Sequence, residues 1–436
     1  MNGQEALGII DRILTQNHQG KLKDIQAAVV LQVWNGDSYP TIGNALGYEP
    51  DYIKQVAARI WQNLSKIAGE RVSKSNIHTI LQQYQTALTK TDWGEAIDVS
   101  SFYGRTSELQ TLQDWILNSS CRVIGIFGWS GSGKTALSVK LAQQLAPQFE
   151  YVIWRSIRQA PNFNQLLSEI LSLLTDSSAS ENSISKLMQQ LRHKRCLLIL
   201  DNLEAILQPG DRSGLYLDGY KDYGNLFERI SDESHQSCLV ITGREKPQGM
   251  TPREGNKSPV RSLSITGLSI IAAQQILMDR GISASLFDQQ KLINYVDGNP
   301  LALKLVATTI QNLFSGNVQG FLAQNTFVFS SLQDLLTQQF DRLSDLQQQV
   351  MYYLTINPQG IMPCRLQIEM KSAVTLPILL EILETLHDRS LIKTTAQGLT
   401  AQPVMTEYLT KRLMPQSGGK VIADKLPLLA SCPLAS

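Results

Sequence analysis

The chain has 436 residues, enough for about three domains at roughly 150 residues each. Hydrophobic residues make up 43% and can fill ordinary globular cores, while 39 Lys+Arg against 38 Asp+Glu leave a formal net charge of +1. That balance excludes a global electrostatic hold on a polyanion, so any nucleic-acid contact has to come from a local patch.

The start, Met1-Asn2-Gly3-Gln4-Glu5, lacks the basic and apolar regions of a secretory signal, and no apolar run approaches the roughly 18 residues of a membrane span. A cytoplasmic protein with no membrane partner is expected. Residues 1–88 read as helical throughout. Asp24 to Trp34 is densely apolar and ends at Asn35-Gly36. Ser38 is placed to cap a short helix carrying Ile42, Ala45 and Leu46, which Gly47 closes. After Glu49-Pro50, the residues Ile53, Val56, Ala57, Ile60, Trp61 and Leu64 recur at helical spacing. A short helix, a glycine turn and a longer amphipathic helix make the helix-turn-helix order. The polar stretch 89–101 reads as a linker.

From Phe102 strands alternate with helices. Apolar runs of strand length fall at Val123–Phe127, Tyr151–Ile157, Cys196–Leu200, Cys238–Thr242 and Ser262–Thr266, and the plainest helix is Thr135–Leu145. This alternation predicts a parallel sheet with helices on both faces. Cys121, Cys196 and Cys238 each open such a run. Five cysteines without CxxC spacing read as small buried hydrophobes in a reducing compartment, and Cys432 does not fit a prenylation site. The Gly- and Tyr-rich stretch Pro209–Gly224 reads as an exposed loop. Helices return beyond Gly267, at Ser269–Arg280, Gln289–Val296 and Leu301–Phe314. A last block, Leu332 to about Leu413, mixes helices with a hairpin around Leu391–Thr400, and the tail from Pro415 shows no period. The sequence carries no repeat of the solenoid or propeller kind.

Gly128-Trp129-Ser130-Gly131-Ser132-Gly133-Lys134-Thr135 matches GxxxxGK[ST], with a strand before it and a helix after. Its glycines let backbone N–H groups close on phosphate oxygens, and the helix amino end through Ala136 adds its dipole. Lys134 should reach the β- and γ-phosphates and the Thr135 hydroxyl should ligate Mg²⁺. The second carboxylate such a site needs is Asp201, at the carboxyl end of the run from Cys196. Asn202 follows it, and Glu204 is the next acid, placed either to orient an attacking water or to face solvent. Arg244, just past the Cys238–Thr242 strand, is either a γ-phosphate sensor or a surface residue.

In order, Phe102-Tyr103-Gly104-Arg105…Glu108-Leu109, the P-loop, Leu198-Ile199-Leu200-Asp201, Thr242-Gly243-Arg244 and Gly298-Asn299-Pro300-Leu301-Ala302 resemble the NB-ARC branch of the STAND signalling ATPases. The resemblance covers roughly residues 100–415. It implies that Tyr103 to Arg105 border an adenine, that Pro300 packs against the nucleotide and that Arg244 is the γ-phosphate sensor. It also implies ATP/ADP and Mg²⁺ as ligands. The expected fold is multidomain α/β plus α: a helix-turn-helix-like domain at 1–88, the linker 89–101, and a P-loop NTPase domain at 102–267. A small helical domain at 268–328, a winged-helix domain at 329–414 and a tail at 415–436 complete it.

Two departures stand out. Family members carry a Met-His-Asp motif late in the winged-helix domain, where this chain has Ala401-Gln402-Pro403-Val404-Met405. His387-Asp388 lies before the hairpin and is not that motif. A C-terminal repeat sensor is expected of the family and is not seen in the sequence. The resemblance implies a slow ATPase acting as a switch: exchange of ADP for ATP opens the domains, drives homo-oligomeric assembly, and hydrolysis resets it. The N-terminal module, with Asp92-Trp93-Gly94-Glu95 after it, looks like the head of bacterial NB-ARC proteins and is expected to recruit a signalling protein. Nine Lys/Arg against seven Asp/Glu in residues 1–90 make DNA the lesser expectation. An ATPase-gated transcription regulator and a nucleotide-binding scaffold without turnover are the alternatives.

Overall fold

The computed structural model describes residues 3–17, 19–81, 89–175, 183–210, 214–324, 326–370 and 374–413. The predicted tail, Cys432 and part of the first predicted domain lie outside these residues. The described chain divides into two compact units, one from the residues up to Thr91 with Leu145–Tyr151, the other from Asp92–Gln144 and from Val152 onward.

The first unit carries helices Gly3–Gln16, Asp24–Trp34, Tyr39–Leu46 and Pro50–Ala68. Ser38 caps the third, its hydroxyl accepting from the Thr41 N–H at 3.3 Å, and Gly47 closes it in the left-handed conformation at φ 73°. Pro50 then opens the fourth, where its missing N–H costs nothing. Ile53, Val56, Ala57, Ile60, Trp61 and Leu64 are all buried, so the helical period marked the core face correctly. The turn is tight: a Cβ on Gly43 would lie 2.6 Å from the Tyr48 carbonyl oxygen. Tyr39 accepts a hydrogen bond from the Trp61 indole at 3.2 Å and locks the short helix to the long one.

A sheet of six strands follows: β1 Lys90–Asp92, β2 Val123–Gly128, β3 Tyr151–Ser156, β4 Cys196–Asp201, β5 Cys238–Gly243 and β6 Val260–Ile265, in the order β1-β3-β4-β5-β2-β6. The pairs β2–β5, β2–β6 and β4–β5 are parallel. Every residue of β2, β4 and β5 is buried, which is why these strands read as unbroken apolar runs. β1 was missed inside the predicted linker. It is a three-residue edge strand of polar, mostly exposed residues, so it shows no hydrophobic pattern. Asp92 is held there by Arg155 at 3.0 Å.

Among its described residues, the stretch Pro209–Gly224 is not an exposed loop. Tyr216 and Tyr223 are buried and the helix Lys221–Asp232 begins within it. A Cβ on Gly224 would meet the Tyr216 ring at 2.8 Å, so the glycine marks close packing rather than a turn. Cys121, Cys196 and Cys238 are buried, while Cys364 is exposed.

Beyond the sheet come helices Ile270–Asp279, Leu286–Tyr295 and Pro300–Phe314, then Ser330–Phe340, Asp345–Ile356, Pro363–Glu369 and Leu376–Asp388. The antiparallel hairpin of β7 Ile392–Thr395 and β8 Gly398–Ala401 follows, and helix Pro403–Leu413 closes the described chain. The small helical block and the hairpin-bearing block share one continuous hydrophobic core.

Replacing Gly43 by valine should cost about 1–3 kcal/mol, because the added side chain has to push the turn carbonyl away. Chemical denaturation of the two proteins side by side measures the difference.

Candidate functional site

The segments singled out by sequence converge at the carboxyl ends of β2, β4 and β5. Gly128 ends β2 at φ 148°, where a Cβ would lie 2.4 Å from the Ile265 carbonyl oxygen of β6. Gly131 and Gly133 follow at φ 77° and 93°, and a Cβ on Gly131 would strike the Leu301 Cβ at 2.7 Å. Only glycine permits this turn, which delivers the chain straight into the helix Lys134–Leu145.

Lys134 is buried, and its ammonium donates to the carbonyls of Gly128 at 2.9 Å and Trp129 at 2.8 Å. Burial pulls its pKa from 10.5 down to about 8, with Glu204 and Asp201 opposing that fall and Arg244 adding to it. The Thr135 hydroxyl donates to the two oxygens of Asp201 at 2.9 and 3.0 Å. Thr242, on the intervening β5, donates to the same carboxylate. Burial raises the Asp201 pKa, and these two hydroxyls work against that rise.

A buried carboxylate beside a threonine hydroxyl is a hard-oxygen pair of the kind Mg²⁺ takes. Ser132 Oγ is buried without a hydrogen-bond partner, and the glycine turn leaves no room for side chains. These residues fit a Mg²⁺-bound phosphate.

Glu204 and Arg244, whose roles the sequence left open, form an ion pair. Arg244 Nε donates to Glu204 Oε1 at 3.0 Å, and the other carboxylate oxygen is buried without a hydrogen-bond partner. Glu204 is 8% exposed, so it does not face solvent. Arg244 is not a free surface residue either, since its guanidinium also donates to the Gln338 carbonyl at 3.4 Å.

The Tyr103 hydroxyl donates to Asp279, and a Cβ on Gly104 would meet Ala272 at 2.7 Å, so this segment lies against the helix Ile270–Asp279. Arg105 turns inward. Its guanidinium is buried, donates to the Ser132 carbonyl at 3.0 Å and to the Thr266 carbonyl, and pairs with Glu108 at 2.6 Å. A buried guanidinium needs this many partners, and its side chain braces the P-loop. The Trp129 indole likewise leaves the loop and packs in the core of the helical block.

Pro300 faces Gly133, with Cγ 3.9 Å from where a Cβ would stand. Asn299, quoted in the Gly298–Ala302 motif, has no role assigned by the sequence. Its side chain donates to the Ser130 carbonyl at 2.9 Å and caps the helix Pro300–Phe314 by accepting from the Ala302 N–H at 3.0 Å. The Asn-Pro pair at a helix start was the signal for it. Gln402, in the Ala401–Met405 stretch that stands where the family's Met-His-Asp motif is expected, is buried and donates to Asp297 at 3.2 Å.

A parallel sheet with β5 between the P-loop strand and the Asp201 strand, and this constellation at its carboxyl edge, defines a P-loop NTPase. A solved Walker-type ATPase of Pyrococcus abyssi shares the fold, with a TM-score of 0.50 and 13% identity over 75% of this chain and 99% of that one. Residues 105–205 match the NB-ARC domain model, and residues 1–84 match that of the vWA-MoxR associated protein N-terminal HTH. Residues 105–205 thus form an NB-ARC domain on a P-loop ATPase fold, and a helix-turn-helix module at 1–84 stands ahead of it.

An uncharacterised WD repeat-containing protein of Nostoc sp. is 45% identical over 382 residues, 83% of this chain and 30% of that protein. The disease resistance protein RRS1 of Arabidopsis thaliana is 28% identical over 193 residues, 42% of this chain and 14% of that one. The chain therefore spans less than a third of either relative's length. Among the described residues, no helix is long and apolar enough to cross a membrane.

Lys134 supplies a test by pH. Its folded pKa, about 8, lies below the ordinary 10.5, so the unfolded chain binds the extra proton between those values. In the nucleotide-free chain, stability relative to Lys134→Met should therefore rise as pH increases from about 8 to 10.5 and be flat below that window. Paired denaturation curves across that range check it.

Proposed function

We propose that the chain is an ATP/ADP-dependent molecular switch in signal transduction, with slow hydrolysis as its reset. The observation that carries this reading is the Arg244–Glu204 ion pair. The two groups best placed to act on a γ-phosphate neutralise each other here, and Arg244 also reaches the hairpin-bearing block through Gln338. A γ-phosphate competes with Glu204 for Arg244 and so distinguishes ATP from ADP. Exchange of one nucleotide for the other then changes domain contacts and exposes surfaces for homo-oligomeric assembly.

In this reading Gly128 to Ala136 cradle the phosphates and Lys134 moves from its two carbonyls onto the β- and γ-phosphates. Thr135 and Asp201 hold Mg²⁺, which neutralises phosphate charge when bound. Glu204, released from Arg244, orients a water. Tyr103 and the Arg105 backbone border the adenine, and Pro300 closes over the nucleotide beside Gly133. Asn299 links the small helical block to the P-loop, so that block follows the occupant.

Lys134→Ala should weaken both nucleotides. Arg244→Ala should weaken ATP more than ADP by about tenfold to a hundredfold, the value of a hydrogen bond to a charged group. Equilibrium titrations with ADP and a non-hydrolysable ATP analogue decide it, and equal losses in the Arg244 variant would contradict the sensor role.

The N-terminal module works in this scheme as an adaptor for a signalling protein. Asp51 is exposed at the helix end that would meet DNA, and it pairs with Lys54 at 2.9 Å, which leaves Arg59 and Lys66 as the main cations of that exposed face. Beside it the half-exposed rings of Tyr48 and Tyr52 stand 5.3 Å apart, a pairing suited to a protein partner. The full chain, titrated with mixed duplex DNA at low and physiological salt, should show only weak binding. Tight binding that falls steeply with salt would favour the transcription-regulator reading.

A further inference from the structure

We infer that Arg342, at the foot of the hairpin-bearing block, is a positioning residue that holds Arg244 on Glu204 and so withholds the γ-phosphate sensor from ATP. The inference rests on the switch reading and adds the group that keeps the switch closed.

One guanidinium nitrogen of Arg342 ties the backbone of Glu204 to the residue that follows Arg244. Arg342 donates to the backbone carbonyl of Glu204 at 2.8 Å and to the carboxylate of Glu245 at 2.8 Å. Glu204 is one member of the pair, and Glu245 is the direct neighbour of the other. The Arg342 carbonyl in turn accepts from the Gly210 N–H at 2.9 Å and from Arg389 at 3.5 Å. Arg389 closes the arrangement by pairing with the second oxygen of Glu245. Glu245 is 6% exposed and Arg389 2%, so the carboxylate between two arginines is shielded from water and salt. Lys246, the next residue, pairs with Glu254 at 3.0 Å and lies 3.8 Å from Asp388. Three consecutive residues after β5 are thus each tied by charge, and the hairpin-bearing block supplies the partners of Glu245.

The consequence is a linkage. While Arg342 pins the Glu204 peptide and Glu245, the Arg244 side chain is kept within reach of Glu204. Arg244 can turn fully to a γ-phosphate only as that grip loosens. Leaving Glu245 buried without Arg342 is costly, so the change is between two discrete states rather than a gradual drift. By reciprocity, whatever displaces the hairpin-bearing block favours ATP, and ATP favours displacement of the block.

The test uses the full chain. Affinities for ADP and for a non-hydrolysable ATP analogue are measured for wild type, Arg342→Met and Arg342→Lys. Arg342→Met should tighten the analogue relative to ADP by at least about fivefold, the lower end of ordinary coupling. The lysine keeps the charge on a shorter side chain without the planar guanidinium, so it should fall between. In an Arg244→Ala background the Arg342→Met effect should vanish. An unchanged ratio, equal losses for both nucleotides, or a shift that survives without Arg244 would overturn the inference. If Arg342→Met melts early, Glu245→Gln loosens the same grip and should give the same direction of change. Wild-type chain that binds neither nucleotide would overturn the switch reading itself; binding with an unmoved ratio would overturn only the role of Arg342.

Discussion

The carboxylate of Asp201 is the constraint on which the rest of the site depends. It ends β4 in a fully buried position, where an uncompensated charge would be very costly. Thr135 from the P-loop helix and Thr242 from β5 satisfy it, so three successive segments of the sheet edge are joined through one side chain. The same geometry sets an acceptor and a hydroxyl together beside the glycine turn, and that pairing is what makes the edge suited to a metal-bound phosphate.

Around that centre, the P-loop is held from outside as much as from within. Arg105 braces the Ser132 carbonyl from below, and Asn299 takes the Ser130 carbonyl from the small helical block. Leu301 N–H reaches the Gly131 carbonyl at 3.3 Å, and the Trp129 indole is embedded in the helical core. A loop clamped at successive residues by another block cannot change shape alone. The P-loop and the small helical block are therefore joined mechanically, through packed and hydrogen-bonded neighbours.

That block is in turn bound to the hairpin-bearing one. Glu407 accepts from the backbone N–H groups of Phe327 and Val328, and from the Tyr295 hydroxyl, and pairs with Lys411 at 2.8 Å. Burial alone would raise the Glu407 pKa, but these donors hold the carboxyl below its ordinary value. The connecting strand of chain is thus fixed by charge at its end, while Asp297 is taken by Lys393 and Gln402. The stretch where the family's Met-His-Asp motif is expected here contributes Gln402 to a contact with Asp297, beside the Gly298-Asn299-Pro300 turn.

Much of this was legible in the sequence because it is set by local chemistry. The glycine spacing of the P-loop, the apolar runs of β2, β4 and β5, the Ser38 cap and the period of the Pro50–Ala68 helix all depend on neighbours a few residues away. β1 escaped because an edge strand need not be apolar, and the tyrosines of 209–224 were misplaced because glycine serves close packing as well as turns. The order of the strands lay beyond sequence reading. Nothing local to Cys238–Gly243 says that it enters between the P-loop strand and the Asp201 strand, and that insertion brings Arg244 beside Glu204. Nor does any pattern join Glu245 to Arg342, 97 residues away. Ion pairs of that range exist only once tertiary packing has removed the water that would otherwise solvate each charge separately.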